Sequence, residues 1–219
     1  MELLHSKTVE NFLSDSEIEK IQNLILDVSI NDEYYQTVGG TDKLVAQYNI
    51  WNYNADNAKG IRDILDTKFN KIFNNKSIIL NSHILNAHYP YQLHSDYVHT
   101  DIKNNITEYR PGYTFIIPLE TYDSRTYIFN EYLEKTNEFS VFKEHYQGEL
   151  SLRLDKSDAK RLSHIHPTEL FYLTLKEVFY WNKGSLHAFD RRYIHCSDNF
   201  LKTKHQIKRG LILWVSDPI

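Results

Sequence analysis

The pattern of apolar residues changes near residue 77, and this change constrains the fold more than any other feature of the sequence. Before it, apolar residues recur at helical spacing from Ser14 to about residue 28 and from 57 to 74. Ser14, with Glu17 three residues later, is typical of a capping box at a helix start. After residue 77, short apolar stretches alternate with turns, as in antiparallel sheets. The sequence therefore predicts a mainly β protein with flanking helices, an α+β fold.

The predicted strands are short and follow one another closely. We expect them at 77–80, 82–89, 113–119, 126–130, on both sides of Gly184 within 177–190, around His195 and at 208–215. Short turns between consecutive strands favour antiparallel pairing. The polar stretch 99–110 is expected to be a loop, and 45–51 a short strand or an irregular segment.

A chain of 219 residues suits one domain, which we place at 1–219. Its helical support would be 1–76, and its β core would comprise 77–130 and 177–219. The charged stretch 131–176 interrupts the β pattern and is predicted to be an insertion. Because loops on a rigid scaffold often carry specificity, we expect it to act as a lid or to contact a substrate.

Composition excludes several classes of protein. The single cysteine, Cys196, excludes an intrachain disulfide framework and fits a reducing compartment. The N-terminus lacks the pattern of a signal peptide, and no apolar run has the length of a membrane span, so we expect a cytoplasmic protein with no membrane partner. A net charge of -4 disfavours nucleic acid as a partner. No feature of the sequence assigns an oligomeric state.

A candidate metal site begins at His94-Ser95-Asp96. On an extended chain, residues two apart point to the same side, so the imidazole of His94 and the carboxylate of Asp96 could reach one ion. If the fold also brings His195 to this pair, two histidines and one carboxylate share one face of the ion. That set is the facial triad of non-heme iron(II) oxygenases, which leaves other coordination positions open. The alternative is that His-x-Asp occurs by chance.

Other histidines compete for a metal. His187 lies eight residues before His195, and a hydrogen-bonded histidine of a β-strand is the role expected for it. His164 and His166 form a His-x-His motif without a suitably spaced carboxylate, and we expect them in an exposed loop or lid.

Three stretches together resemble the iron(II)/2-oxoglutarate-dependent oxygenases, in particular their small prolyl-4-hydroxylase-like branch. The resemblance extends from about Val9 to the C-terminus and depends mainly on 94–96, 181–200 and 208–211. It implies a double-stranded β-helix core, also called a jelly roll or cupin-like fold, with the N-terminal helices packed on one sheet. In such a fold, residues a hundred positions apart can meet at the mouth of the barrel.

The resemblance also implies roles for individual residues. His94, Asp96 and His195 would bind Fe(II). Arg209 would hold the distal carboxylate of 2-oxoglutarate through paired hydrogen bonds, if its side chain points inward together with Leu211. The alternative for Arg209 is a surface salt bridge.

Weaker assignments follow for four aromatic or hydroxyl side chains. Tyr89 and Thr126 match positions where members of the family often hydrogen-bond the cosubstrate, although both could equally be ordinary β residues. Tyr97 and Trp51 are assigned to the substrate pocket as a guess.

The implied activity is that of an Fe(II)- and 2-oxoglutarate-dependent dioxygenase. Such an enzyme uses O2, with ascorbate as an added reductant, to hydroxylate an unactivated C–H bond and releases succinate and CO2. Its substrate would be a small molecule, an amino acid or a peptide. Two alternatives remain open: a non-catalytic jelly-roll binding module, and a cupin-type metalloenzyme that uses no 2-oxo acid.

Overall fold

Two antiparallel sheets lie face to face in the computed structural model, and helices cover the outer side of each. The structure describes residues 5–26, 35–37, 44–49, 56–73, 79–87, 89–96, 98–101, 106–109, 112–133, 154–203 and 207–215. In chain order the elements are β1 (Lys7–Val9), α1 (Asp15–Leu26), β2 (Tyr35–Thr37), β3 (Leu44–Asn49), α2 (Asp56–Phe73), β4 (Ile79–Ala87), β5 (Val98–Asp101), β6 (Ile106–Tyr109), β7 (Tyr113–Pro118), β8 (Arg125–Tyr132), α3 (Lys156–Arg161), α4 (Pro167–Leu170), β9 (Leu175–Tyr180), β10 (Leu186–Asp190), β11 (Tyr193–Ser197) and β12 (Lys208–Val215).

The larger sheet has seven strands in the order β1-β10-β7-β12-β4-β3-β2, and the smaller has three in the order β11-β8-β9. Antiparallel pairing is confirmed for these strands, but only some partners, such as β3 and β4 or β8 and β9, are consecutive along the chain. β7 pairs with β10 and β12, whereas β8, the next strand along the chain, belongs to the other sheet. This exchange of the chain between two sheets is the connectivity of a jelly roll.

The prediction of a loop at 99–110 is wrong in part. β5 and β6 form a separate two-stranded hairpin there, in which Val98 lies opposite Tyr109 and Asp101 opposite Ile106. Thr100 pairs with Thr107 in the middle of this hairpin. The polar composition of the stretch concealed it, because cross-strand pairing of the backbone does not require apolar side chains.

The N-terminal helices cover one face of the larger sheet, as predicted. α1 starts with the expected capping box: the Ser14 amide donates to the Glu17 carboxylate at 2.8 Å, and the Glu17 amide donates to the Ser14 hydroxyl at 3.3 Å. The apolar sides of α1 and α2 and the facing side of the sheet form one buried cluster, which includes Ile18, Ile21, Ile61, Leu65, Phe115, Ile117, Leu211 and Leu213. None of the helices in the described part of the chain is long and apolar enough to span a bilayer.

Gly184 fixes the turn between β9 and β10, where the sequence predicted one. Its φ of 75° lies in the left-handed region, and a Cβ there would come within 2.5 Å of the Leu13 carbonyl oxygen. The Leu13 amide donates to the Gly184 carbonyl at 2.9 Å, and the Gly184 amide donates to that of Pro118 at 2.9 Å. The turn therefore attaches the segment before α1 to the sheet.

Residues 154–174 cover the outer face of the smaller sheet. Leu162, Ile165 and Leu173 are buried there against Phe129 and Cys196. This part of the predicted insertion thus packs on the side that faces away from the space between the sheets. The remainder of the insertion, 134–153, lies outside the described residues.

Candidate metal centre

Three candidate ligand side chains lie close together between the two sheets. His94 and Asp96 lie in the segment that follows β4, and His195 lies on β11. Their ligand atoms all lie within 4.8 Å of one another. The distance from Asp96 Oδ1 to His94 Nε2 is 3.8 Å, and that from Asp96 Oδ2 to His195 Nε2 is 3.5 Å. The structure therefore brings together His94 and Asp96, which their spacing paired, and His195, which the resemblance added.

Backbone hydrogen bonds hold the His94 segment against β11. The His94 amide donates to the His195 carbonyl at 3.0 Å, and the His195 amide donates back to the His94 carbonyl at 2.8 Å. The Tyr91 amide donates to the Ser197 hydroxyl at 2.7 Å. Because residues 94 and 195 are direct partners, the distance between the two imidazoles is set by the backbone.

Both histidines present the same ring nitrogen to the centre of the cluster. His94 Nδ1 lies 2.8 Å from the Gln92 carbonyl oxygen, and His195 Nδ1 lies 3.1 Å from that of Tyr193. A carbonyl only accepts a hydrogen bond, so Nδ1 carries the proton in each ring. Nε2 is then free to bind a metal, which is the usual arrangement of metal-binding histidines.

Electrostatics favours the protonation states that bind a metal. Burial, together with the neighbouring His94, lowers the pKa of His195 to about 4. Burial alone would raise the pKa of Asp96, but His195, His94, the hydrogen bond from Thr114 and the Arg191 guanidinium hold it below its usual value. At neutral pH His195 is therefore a neutral imidazole and Asp96 a carboxylate, as ligation requires.

The three side chains open onto a pocket between the sheets. Most of its surface is apolar or aromatic, and several polar side chains lie among these residues. The lining residues include Thr114, Thr126, Trp181, Ser197, Phe200, Lys208, Ile212 and Trp214. A pocket of this kind is typical of a small-molecule site.

Arg209 does not line this pocket. Its side chain is 50% exposed and lies 3.1 Å from Glu120 Oε1. Arg209 shares a face of β12 with Leu211 and Leu213, as the sequence suggested, but that face packs against the helices. The structure thus shows the alternative considered for Arg209, a surface salt bridge.

Lys208, one residue earlier, is the cation that lies inside. It is only 2% exposed, and its Nζ has no hydrogen-bond partner among the described residues. Nζ lies 3.8 Å from the ring centroid of Trp181 and 5.6 Å from that of Phe200. Burial lowers the pKa of Lys208 to about 7. The sequence did not indicate Lys208 because the side chain of Arg209, the next residue, was expected to face inward.

Thr126 and Tyr89 have different surroundings. Thr126 is buried in the pocket wall, where its hydroxyl oxygen accepts a hydrogen bond from Trp181 Nε1 at 2.9 Å. Tyr89 is 40% exposed and is not among the lining residues. Tyr97 and Trp51 lie outside the described residues.

The competing histidines lie away from the cluster. His187 is buried, with Nδ1 3.1 Å from the Thr8 hydroxyl and Nε2 2.9 Å from the Tyr180 carbonyl oxygen, which is the hydrogen-bonded role expected for it. His164 Nε2 lies 3.1 Å from the Tyr91 carbonyl oxygen, and His166 caps α4. Within the described ranges, only His94, Asp96 and His195 form a group able to hold a metal ion.

The donor set fits a divalent first-row metal. Two neutral imidazoles and one carboxylate suit Fe(II), and they also accept Mn(II), Co(II) or Ni(II). His94 and Asp96 come from a segment held by backbone hydrogen bonds, and His195 comes from β11, an edge strand of the smaller sheet that this segment covers. The cluster therefore meets the chemical requirements of a three-residue metal site with open positions.

Comparisons with known proteins give a likeness in shape and none in sequence. No family model matches the chain, and the curated proteins contain no significant sequence match. Among solved structures, the non-heme alpha-ketoglutarate-dependent epimerase SnoN from nogalamycin biosynthesis has a TM-score of 0.59 at 10% identity, covering 97% of this chain and 76% of its own. HygX from Streptomyces hygroscopicus, solved with nickel and 2-oxoglutarate bound, has a TM-score of 0.53 at 10% identity, covering 96% and 82%. A Pseudomonas putida prolyl-4-hydroxylase has a TM-score of 0.51 at 11% identity, covering 96% and 91%.

These solved structures and this chain have the same arrangement of two sheets with flanking helices, and the match extends over nearly the whole chain. The fold class expected from the sequence is thereby confirmed. The chain has the double-stranded β-helix fold of the iron(II)/2-oxoglutarate-dependent oxygenases.

Proposed function

We propose that this chain is an iron(II)- and 2-oxoglutarate-dependent oxygenase that hydroxylates a C–H bond of a small molecule, an amino acid or a peptide. The observation that carries the proposal is the meeting of His94, Asp96 and His195 on the wall of a pocket that also contains the buried cation Lys208. The proposal includes a reducing compartment, the cytoplasm, which suits both Fe(II) and the free thiol of Cys196.

The metal would be held by His94 Nε2, His195 Nε2 and the Asp96 carboxylate. Bound iron supplies the oxidising chemistry that side chains lack, using O2 and the oxidative decarboxylation of 2-oxoglutarate to succinate and CO2. The protein contributes positioning and exclusion of water, because the pocket wall is largely apolar.

Lys208 would bind the distal carboxylate of 2-oxoglutarate. Asp198 attracts this ammonium through space, but Nζ makes no hydrogen bond among the described residues, and a buried ammonium is unfavourable without one, so Nζ suits a carboxylate. Trp181 covers Nζ on one side, and its Nε1–H is already donated to Thr126. These contacts leave the pocket side of the ammonium as the direction from which an anion can approach.

Strand register supports a cosubstrate of this length. Thr126 is paired with Ser197, which lies two residues beyond His195 on the same side of β11. Two residues of a strand cover roughly 6.6 Å, which is the order of length of a five-carbon diacid. One end of 2-oxoglutarate could thus reach the metal while the other lies beside Trp181 and Lys208. In this proposal Lys208 takes the role that the sequence suggested for Arg209, because only Lys208 faces the pocket.

The two alternatives predict different sites. A non-catalytic jelly-roll module would not require three candidate metal ligands in one place. A cupin-type metalloenzyme that uses no 2-oxo acid would not require a buried cation beside the metal site. The solved relatives in shape include an epimerase and a prolyl-4-hydroxylase, so the fold serves several reactions. The proposal therefore depends on the site residues and not on the shape alone.

Succinate release from 2-oxoglutarate tests the proposal without knowledge of the primary substrate. The purified chain with Fe(II), ascorbate, O2 and 2-oxoglutarate should release succinate slowly. Lys208→Met should weaken 2-oxoglutarate binding by about tenfold or more, since charge-assisted hydrogen bonds contribute roughly 1.5–3 kcal/mol, whereas the matched variant Arg209→Met should bind as the wild type does.

Three outcomes of this experiment would each contradict a different part of the proposal. Metal binding without 2-oxoglutarate binding would favour the cupin alternative. Binding of neither would favour the non-catalytic module. If Arg209→Met loses 2-oxoglutarate binding and Lys208→Met keeps it, Arg209 is the residue that binds the distal carboxylate.

A further inference from the structure

We infer that Thr114 is a positioning residue that determines how the Asp96 carboxylate is presented to the metal. The inference rests on the proposed metal site and adds to it a residue that does not itself touch the ion. Thr114 was not singled out by the sequence, because it lies in a buried strand among apolar residues.

Arg191 forms hydrogen bonds with both the amide and the carbonyl group of Asp96. The Asp96 amide donates to the Arg191 carbonyl at 3.0 Å, and Arg191 Nη2 donates to the Asp96 carbonyl oxygen. Arg191 is itself buried, and its amide donates to the Gly112 carbonyl at 3.0 Å. With the backbone held in this way, the freedom left to Asp96 is rotation of its carboxyl group.

Thr114 removes that freedom. Its hydroxyl donates to Asp96 Oδ2 at 2.6 Å, a short bond of the kind made to a charged acceptor. Thr114 is 1% exposed and lies on β7, paired with Phe189 of β10 on one side and Trp214 of β12 on the other. A β-branched side chain in the interior of a sheet has a restricted χ1, so the position of the hydroxyl is set by the sheet.

The consequence concerns which oxygen is available to the ion. Because Oδ2 already accepts the Thr114 hydroxyl, we expect Asp96 to bind the ion through one atom, Oδ1, which lies 3.8 Å from His94 Nε2. A carboxylate that rotates freely can instead chelate through both oxygens and occupy a further coordination position. The proposed site needs open coordination positions for O2 and for a cosubstrate that binds through two of its atoms. A single oxygen ligand from Asp96 keeps these positions available.

Cobalt(II) is the probe for this role, because its visible spectrum reports the ligand geometry without turnover. Thr114→Val and Thr114→Ala remove the hydroxyl, and Thr114→Ser keeps it. We expect the first two to bind Co(II) about 10- to 100-fold more weakly, as is typical when a hydrogen bond to a metal ligand is removed, and to show an altered Co(II) spectrum. Thr114→Ser should match the wild type in both.

The matched control is Ser124→Ala, which removes an equally short hydroxyl–carboxylate bond of 2.6 Å to Asp198, a carboxylate that is not in the cluster. This control should leave Co(II) affinity and spectrum unchanged. Circular dichroism establishes whether Thr114→Val and Thr114→Ala are folded. If one of them does not fold, the other still provides the test.

The outcomes separate this inference from the proposed function. If the wild type binds no Co(II), the metal site itself is wrong, and the role of Thr114 falls with it. If the wild type binds Co(II) and a folded Thr114→Val or Thr114→Ala variant has the same affinity and spectrum, the site stands and the inference is overturned. A change of the same size in Ser124→Ala would also overturn it, since the effect would then not be specific to Asp96.

Discussion

The two faces of the larger sheet differ in what their side chains do. On the helix side, the apolar residues that β12 contributes are buried among those of α1 and α2. On the opposite side, the same strand supplies Lys208, Ile212 and Trp214 to the pocket, and β7 supplies Thr114. Neighbouring residues of one strand thus belong to two different environments, one a dry core and the other a site with polar groups. Stability and chemistry are separated here by the alternation of side chains along a strand.

The largest expected effect lies on the pocket side. His195→Ala should reduce metal affinity by more than about 100-fold, because loss of an outer partner of a ligand already reduces it by 10- to 100-fold. His187→Ala, which removes a buried histidine outside the cluster, should leave metal binding intact. Titration with Fe(II) or Co(II) measures both. The reverse result would show that His187 is the true distal ligand.

The helix side should respond in stability and not in binding. Leu213→Ala removes a fully buried side chain and should lower the free energy of unfolding by about 2–5 kcal/mol. Below its unfolding temperature, this variant should keep the wild-type affinity for 2-oxoglutarate. Ile212→Ala, its neighbour on the pocket wall, should change that affinity instead. Chemical denaturation and ligand titration on both variants test the comparison, and equal effects of the two on affinity would contradict it.

The pH dependence of cosubstrate binding should reveal Lys208. Burial lowers its pKa to about 7 in the folded protein, so above that pH the ammonium loses its proton and binding of an anion requires that a proton be taken up. Affinity for 2-oxoglutarate should therefore fall as pH rises above 7, by up to about tenfold per pH unit. Calorimetry in buffers of different ionisation enthalpy measures the proton uptake.

Lys208→Arg is the control for this pH effect, because a guanidinium stays charged throughout the range. The variant should take up no proton on binding between pH 7 and 9. An unchanged pH slope in Lys208→Arg would assign the proton to another group.

The smallest effect is expected at the exposed end of the helix side. The ion pair of Arg209 and Glu120 is about half exposed, so solvent screens it. A double-mutant cycle with Arg209→Met and Glu120→Gln should give a coupling of about 0–1 kcal/mol in unfolding. A coupling energy well above this range would mean that the ion pair contributes substantially to the stability of the fold.

The elements were predictable from the sequence to a large extent, because local periodicity reports them. The capping box at Ser14, the two helical stripes and most strands lie where the pattern placed them. The pairing of strands was not predictable in the same way. Consecutive strands β7 and β8 enter different sheets because each finds its partner among residues far along the chain, and no local signal records that choice.

The proposed metal ligands and the buried lysine show the same limit at the level of single residues. His94 and Asp96 could be paired from their spacing alone, whereas the choice between Lys208 and Arg209 depended on the direction of β12. Both faces of β12 are largely buried, so apolar residues occur on each and the alternation does not show which face meets the pocket. An error of one residue then moves the assignment to the opposite face. Thr114 was undetectable because its role arises from contact with a segment 18 residues away.

The position of β12 has a consequence for biosynthesis. β12 follows every other described element along the chain, yet it lies between β4 and β7 in the middle of the larger sheet. Until the ribosome has made it, these two strands lack their common neighbour and each has one open edge. Such edges pair readily with other chains, so the nascent protein passes through an interval of exposure to aggregation. The pocket, which needs Lys208 and Trp214 from this strand, therefore forms only after the other described strands have been made.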